Sequence, residues 1–311
     1  MRAVRCSGSG VEVTEVAGPT GPGVRVRIRS AGICGSDLEM VRLGLATSTI
    51  GHEIAGVLDD GSPVAVHPFT SCGECEECRS GRAHLCRTLI GSMLGAGLDG
   101  GMSDEMIVDP RMIVPLPDRV GIWDASLVEP TAVALHACNR GGITTGMRVG
   151  VIGAGTIGLL CAAVARHLGA EVAITARHAV QAAAAEALGV AVGETRDCDV
   201  VIDAAGTASA FDAATARCRR AGTLVLAATT WEPVTLSFFR AQMREISIVP
   251  AFVYGEAHGE PEFVTAAHLL GEITAIPEAL ITHRFGLDDA PQAFAVAADR
   301  AAGAIKVVLH P

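Results

Sequence analysis

Apolar and polar residues alternate with a period of two through much of the first third of the chain. Val11-Glu12-Val13-Thr14-Glu15-Val16 and Val24-Arg25-Val26-Arg27-Ile28-Arg29 are two such runs, parted by Gly18-Pro19 and Gly21-Pro22-Gly23. This pattern predicts short antiparallel strands with one wet face, on which Arg25, Arg27 and Arg29 lie. Residues 54–58 and 64–66 extend it around the turn Asp59-Asp60-Gly61-Ser62-Pro63. Residues 106–108 extend it after Asp99-Gly100-Gly101. Residues 32–53 read as two glycine-flanked turns. The expected result is a small all-β unit, a distorted barrel.

The pattern changes after Pro115-Leu116-Pro117-Asp118, which reads as a linker. A helix over 124–139 presents Val128, Ala132 and Leu135 on one face. Apolar runs at 149–152, 172–175, 200–202, 223–226 and 246–249 then alternate with helical stretches through 168, over 179–188 and over 207–217. Such alternation predicts a doubly wound parallel sheet, a Rossmann domain. The last segment has a helix opening at Asp288-Asp289 and a strand over 305–309, expected to return to the first domain. The expected class is α/β. Residues 1–118 and 283–311 form the barrel domain and residues 119–282 the parallel-sheet domain.

Composition sharpens this picture. Half of the 311 residues are hydrophobic but only 4% are aromatic, so aliphatic side chains must fill the core, as suits buried parallel strands. The net charge is −10 and no Lys/Arg run stands out. Nucleic acid and membrane surfaces are therefore not expected partners; a small molecule is. The start of the chain leads into charged, glycine-rich sequence, and the expected location is the cytoplasm. Ten cysteines in such a chain are read as metal ligands where they cluster.

Two clusters carry metal chemistry. Gly32-Ile33-Cys34-Gly35-Ser36-Asp37 and Gly51-His52-Glu53 place a thiol, an imidazole and a carboxylate within about twenty residues. Those donors suit zinc, and three of them leave one open position. A buried free Cys with a hydrogen-bonded core His is the rival reading of that stretch. The second cluster is Cys72, Cys75, Cys78 and Cys86. Four thiolates close a tetrahedral site, so its role is structural. An iron–sulfur cluster fits less well, because its usual run has a shorter last gap followed by Pro.

A third motif binds a nucleotide. Gly153-Ala154-Gly155-Thr156-Ile157-Gly158 follows a strand and opens a helix. That context makes it a dinucleotide loop, with glycines for the turn, the pyrophosphate and helix packing. An acidic residue normally ends the next strand and bonds the ribose 2′-OH. That position is Ala176 here, and Arg177 follows it. A guanidinium suits a 2′-phosphate, so NADP is expected over NAD.

These motifs, in this order over the whole chain, resemble the zinc-dependent medium-chain alcohol dehydrogenase family. Glu129-Pro130 followed by His136-Ala137-Cys138 resembles its sorbitol (polyol) and threonine dehydrogenase branch. The resemblance implies a GroES-like catalytic domain with a structural zinc lobe over 72–86, and two zinc ions per chain. Cys34 and His52 match catalytic-zinc ligands. Glu53 matches a carboxylate that ligates the metal or sits behind its water. Glu129 matches the third protein position, direct or through water. Ser36 matches the start of a proton relay, and Lys306 of the terminal Ile-Lys-Val-Val-Leu a cofactor contact. The implied activity is interconversion of a secondary alcohol and its carbonyl form with a nicotinamide cofactor, in a homodimer or homotetramer. Glu39 stands where that branch usually has a His. The remaining cysteines, His84 and His136 match nothing functional. A zinc-free enone or quinone reductase and a non-enzymatic cofactor-binding protein are the competing readings.

Overall fold

The computed structural model describes residues 1–8, 10–299 and 301–311. They form two compact units. The first is Met1–Glu129, His258–Glu272 and Ile281–Pro311; the second is Pro130–Ala257 and Ile273–Leu280. The expected boundary at 118 thus lies inside the first unit. Residues beyond it stay there through specific bonds: Ser126 Oγ meets Ser30 Oγ at 2.7 Å in the interior, and the Trp123 carbonyl accepts from Arg284. The helix Glu262–Glu272, which the sequence reading left in the parallel-sheet domain, also belongs to the first unit. Its Phe263 is fully buried with its ring centroid 5.0 Å from that of His67.

In the first unit, β1 (Arg2–Ser7) and β2 (Gly10–Glu15) form an antiparallel pair. β3 (Val24–Gly32) is the hub of a larger sheet. On one side it pairs with the final strand, Lys306–His310, which pairs in turn with Ile281–Gly286. On the other it pairs with β4 (Glu53–Val57), followed by β5 (Pro63–Val66). Two further strands, β6 (Glu105–Val108) on β3 and β7 (Ile113–Pro115) on β5, complete it. Alternation works as expected along β3: Val26 and Ile28 are buried, while Arg25 pairs with Glu105 and Arg27 is exposed. The core behind the sheet is aliphatic, with Ile54, Val64, Val66 and Leu309, and Phe294 enters it from the helix Ala290–Ala298. Each such side chain contributes about 1.5–3 kcal/mol by burial.

The reading of residues 32–53 as two turns needs correction in its first half. Gly35–Arg42 is a helix, α1. Its start is fixed by Asp37, whose carboxylate accepts the Cys34 N–H at 2.9 Å. A loop after β5 carries a short helix, α2 (Glu76–Arg79), between the second and fourth clustered cysteines.

The second unit takes α3 (Val128–Arg140) from Pro130 onward and continues into six parallel strands. These are β8 (Arg148–Ile152), β9 (Glu171–Thr175), β10 (Ala191–Val192), β11 (Cys198–Asp203), β12 (Cys218–Leu226) and β13 (Ser247–Pro250). Their order is β10-β9-β8-β11-β12-β13. That is the doubly wound order, which reverses between β8 and β11 and binds ligands at the carboxyl ends of those strands. The connecting helices are α4 (Thr156–His167), α5 (Ala179–Ala187) and α6 (Ala208–Arg217), with α7 (Phe239–Met243) before β13. Cys198 and Cys218 sit opposite each other at the start of β11 and β12, fully buried. Cys138 and Cys161 are buried between α3 and α4, where the Cys138 thiol donates to the Cys161 carbonyl.

Two truncations test this account of the first unit. Phe294→Ala is expected to cost about 3–5 kcal/mol by emptying a core position. Leu45→Ala, at a residue 55% exposed, is expected to stay within about 0.5 kcal/mol. Urea titrations followed by circular dichroism measure both, and equal losses would contradict the core assignment.

Candidate active site and metal centres

Cys34 stands immediately before α1, and Ser36 and Asp37 lie in its first turn. Asp37 is completely buried and joins both halves of the motif. One carboxylate oxygen accepts the Cys34 N–H, and the other lies 3.2 Å from His52 Nδ1. With its proton on Nδ1, the imidazole presents Nε2 as a donor of electrons, the orientation a ligating histidine needs. Nε2 lies 3.4 Å from Ser36 Oγ. Burial works against charge on His52, but Asp37 and the Cys34 sulfur outweigh it and hold the imidazole well above its usual pKa. A site built to hold a proton between a thiol and a carboxylate also suits a metal cation, which displaces that proton on binding.

Asp37 was not singled out from the sequence. The signal was present, as an acidic residue three positions after a helix-capping position.

Glu53 behaves differently from a free ligand. Both its oxygens accept from Lys306 Nζ, at 2.7 and 2.8 Å, and the same ammonium donates to the Ile33 carbonyl at 3.0 Å. Lys306 is 3% exposed and Glu53 1%. Burial disfavours the ammonium, but Glu53, Cys34 and Glu129 raise the Lys306 pKa above its ordinary value. All three donors of the ammonium are thereby committed inside the first unit. This differs from the cofactor contact expected of Lys306. The pairing also requires Gly32, where a Cβ would fall 1.9 Å from Glu53 Oε2. Glu129 is buried and acts on the same ammonium. Cys34, Glu53 and Glu129 thus all act on Lys306, and Cys34 and Asp37 on His52, but among the described residues these candidate ligands do not converge to within 4.8 Å of one another.

Among the described residues, one group of three or more candidate ligands has its donor atoms all within 4.8 Å: Cys72, Cys75, Cys78 and Cys86. The Cys75 and Cys78 sulfurs are 3.4 Å apart, and Cys72 and Cys78 3.9 Å. Amide donors converge on them, from Cys75 to the Cys72 sulfur and from Cys72 to the Cys86 sulfur. The Cys72 amide, with Thr88, pulls the Cys86 thiol down to about 6. The Cys78 amide pulls Cys75 the same way, but desolvation and the Cys78 thiol prevail and raise it to about 11. Such sharing of protons among four convergent thiols is the chemistry of a closed thiolate metal site.

The second unit builds its glycine loop as the spacing predicts. Gly153 has φ +97°, a left-handed conformation that favours glycine. A Cβ on Gly158 would meet the Gly153 carbonyl at 1.8 Å, so α4 approaches β8 this closely only with glycine there. Gly155 faces open space, with nothing within 4 Å of where its Cβ would be. The positive end of α4, at Thr156 and Ile157, adjoins that space and suits a pyrophosphate. Ala176 follows the end of β9 half-buried, and Arg177 is exposed beside it. The Gln181 side chain accepts the Arg177 and His178 amides at 3.2 and 3.3 Å, which fixes the turn.

The two units are therefore a barrel domain carrying metal-ligand chemistry and a dinucleotide-binding domain, the pairing of a medium-chain dehydrogenase. The alcohol dehydrogenase GroES-like domain family matches residues 21–118, and the zinc-binding dehydrogenase family matches residues 156–271. The 2-dehydro-3-deoxy-L-galactonate 5-dehydrogenase of Pseudoalteromonas atlantica is 30% identical over 265 residues, 75% of this chain and 77% of its own. Sorbitol dehydrogenase of Macaca fascicularis is 30% identical over 307 residues, 87% of this chain and 84% of its own. Among solved structures, galactitol-1-phosphate dehydrogenase from Escherichia coli matches with a TM-score of 0.90 and 28% identity over 100% of both chains. A zinc-binding dehydrogenase of Sinorhizobium meliloti, solved bound to NADP, matches at 0.88 and 28% over 100% of this chain and 99% of that one. The chain belongs to the zinc-dependent medium-chain alcohol dehydrogenase family, in its polyol dehydrogenase branch. It is an oxidoreductase that interconverts alcohols and carbonyl compounds with zinc and a nicotinamide cofactor. Among the described residues, no helix is long and apolar enough to cross a membrane.

The buried ion pair yields a prediction. Lys306→Met strands the Glu53 carboxylate and is expected to cost about 3–5 kcal/mol. Adding Glu53→Met removes the stranded charge and is expected to restore most of that loss. A double variant as unstable as the sum of both singles, in urea unfolding, would show the two residues are not coupled.

Proposed function

We propose that the enzyme interconverts a secondary hydroxyl of a polyol or hydroxy acid and the corresponding ketone, at a catalytic zinc held by Cys34, His52 and a carboxylate. The observation that carries this is the Asp37 carboxylate 3.2 Å from His52 Nδ1, which leaves Nε2, near Ser36 Oγ, as the nitrogen that a metal takes when it displaces the imidazole proton. Substrate class follows the relatives, which act on sorbitol, a deoxygalactonate and galactitol 1-phosphate.

When bound, zinc supplies Lewis acidity toward an alcohol oxygen and the oxidised nicotinamide supplies the hydride acceptor. Cys34 and His52 bind the metal, with Glu129 or Glu53 in the third position, directly or through water. Lys306 holds both Glu53 oxygens in the state described, which favours Glu129 for that role. Asp37 keeps the imidazole oriented. Ser36 Oγ, beside His52, receives the hydroxyl proton of the substrate and passes it outward. Glu39, one turn further on, is tied to Arg42 at 2.8 Å, so the proton leaves to solvent rather than through a histidine. Cys72, Cys75, Cys78 and Cys86 hold a second, structural zinc.

Cofactor preference rests on the end of β9. Ala176 offers no carboxylate to bond ribose hydroxyls or repel a phosphate, and the Arg177 guanidinium is exposed next to it. Gly153, Gly155, Thr156, Ile157 and Gly158 receive the pyrophosphate. The working form is a homodimer at least. Among the described residues, β13 ends the parallel sheet with one edge unpaired, and Phe238, Phe239, Met243 and Phe252 are 44–71% exposed in the segments around it.

Metal analysis is the first test. The wild type is expected to carry about two zinc per chain. Cys34→Ala should lose turnover and one zinc while keeping its fold. Cys78→Ala should lose the other zinc together with stability. Equal unfolding of both variants, or no zinc in the wild type, would overturn the assignment. For the cofactor, kcat/KM is expected to favour NADP, and Arg177→Ala to lower the NADP-to-NAD ratio about tenfold. A wild type that prefers NAD, or a ratio indifferent to Arg177, would refute the preference.

A further inference from the structure

A cavity of about 430 Å³ opens within the second unit, a volume in the range of small-molecule sites. None of the residues assigned to the cofactor lines it. Its walls are the carboxyl end of β11, the first turn of α6 and the segment 228–236. Phe211, Leu226 and Leu236 make it apolar inside, and Trp231 and Val234, 38% and 37% exposed, stand at its mouth.

The polar feature is Asp203. The residue is 3% exposed and lines the cavity. Its Oδ1 accepts the Ala205 and Gly206 amides at 2.9 and 3.0 Å. Among the described residues, no protein donor meets Oδ2. Desolvation raises the carboxyl pKa despite those two amides, so a charge here lacks a counterpart. Glu232 adds a second carboxylate to the lining, and among the described residues no Lys or Arg belongs to it.

We propose that this cavity is a second binding site, for a small organic monocation whose ammonium or amidinium group meets Asp203 Oδ2 and whose aromatic body fills the apolar wall. A charged N–H donor gives the buried carboxylate a charge-assisted bond. The faces of Trp231 and Phe211 attract a cation as well as an aromatic ring. An anion has no basic side chain to meet. A sugar alcohol would leave the apolar wall uncovered.

The site backs onto the cofactor loop. A Cβ placed on Gly153 would lie 3.0 Å from the Ala205 side chain, and one on Gly158 3.3 Å from that of Ala204. The turn that Asp203 ties down is therefore the turn against which the glycine loop rests. A ligand on Asp203 would therefore sit against the turn on which the glycine loop rests, and NADP competition tells the two sites apart.

The test uses the full chain with Trp123→Phe, which leaves Trp231 as the sole tryptophan of the two in the sequence. Phenethylamine is titrated while Trp231 fluorescence is read. A saturable change is expected, retained in saturating NADP. The neutral 2-phenylethanol and the anion phenylacetate are expected to bind at least tenfold more weakly. Asp203→Asn keeps an acceptor for both amides and should weaken the amine at least tenfold. Val234→Lys, at the exposed mouth, places a competing cation there and should do the same without touching the core. A response that never saturates, equal binding of amine and alcohol, or indifference to both variants would overturn the proposal. Competitive displacement by NADP would also overturn it, by assigning the cavity to the cofactor. None of these readings depends on zinc or on turnover.

Discussion

Lys306 carries a positive charge into the interior of the first unit, where nothing but specific geometry makes it tolerable. It reaches Glu53 from the last strand of the chain, across 253 positions of sequence. Removing an ammonium and a carboxylate from water costs several kcal/mol each, and the attraction between them repays this only with good geometry and further bonds. Here the bonds are two to Glu53 and one to the Ile33 carbonyl, the residue before Cys34. The pair therefore fixes the register of the closing strand against β3 and β4 at the level of Cys34. It contributes little net stability for its size. What it supplies is a single permitted arrangement, with Gly32 left bare so that the carboxylate fits.

Around that pair the charges are balanced in a chain rather than in isolated contacts. Cys34 and Glu129 act on Lys306, and Cys34 and Asp37 act on His52. A divalent cation fits the same logic, since it answers the negative groups that Lys306 and the His52 proton answer now. Asp37 is the economical element. The interaction that starts α1 and the interaction that orients His52 are the two oxygens of one carboxylate.

Much of this was legible in local sequence, and the limits have a physical cause. The glycine loop was readable because Gly153 and Gly158 answer steric demands of their immediate neighbours. The four clustered thiols were readable because one short loop supplies all of them. The parallel strands declared themselves by continuous apolar runs. The helix α1 was missed because its eight residues carry a weak apolar stripe and its start depends on a side-chain bond from Asp37. The Lys306–Glu53 pair was invisible because period and propensity say nothing about contacts between distant segments. A lysine in a terminal strand reads as a wet residue until the opposing carboxylate is placed. Residues 119–129 cluster with the first unit through Ser30–Ser126 and Arg284–Trp123, long-range bonds of the same hidden kind.

The two donor sets differ in a way that follows from where each sits. The four cysteines lie on a loop whose sulfurs range from exposed to buried, within reach of one another and of backbone amides. Four identical soft donors from one loop converge within reach of a single ion, and such a set leaves no position for a substrate. Cys34 and His52 are held instead by a buried scaffold, through α1 and the turn before β4. That scaffold keeps Glu53 on Lys306, and the charge of Glu129 acts on the same ammonium. A rigid, incompletely filled donor set is what catalysis at a metal requires, because the open position is where an alcohol oxygen must bind.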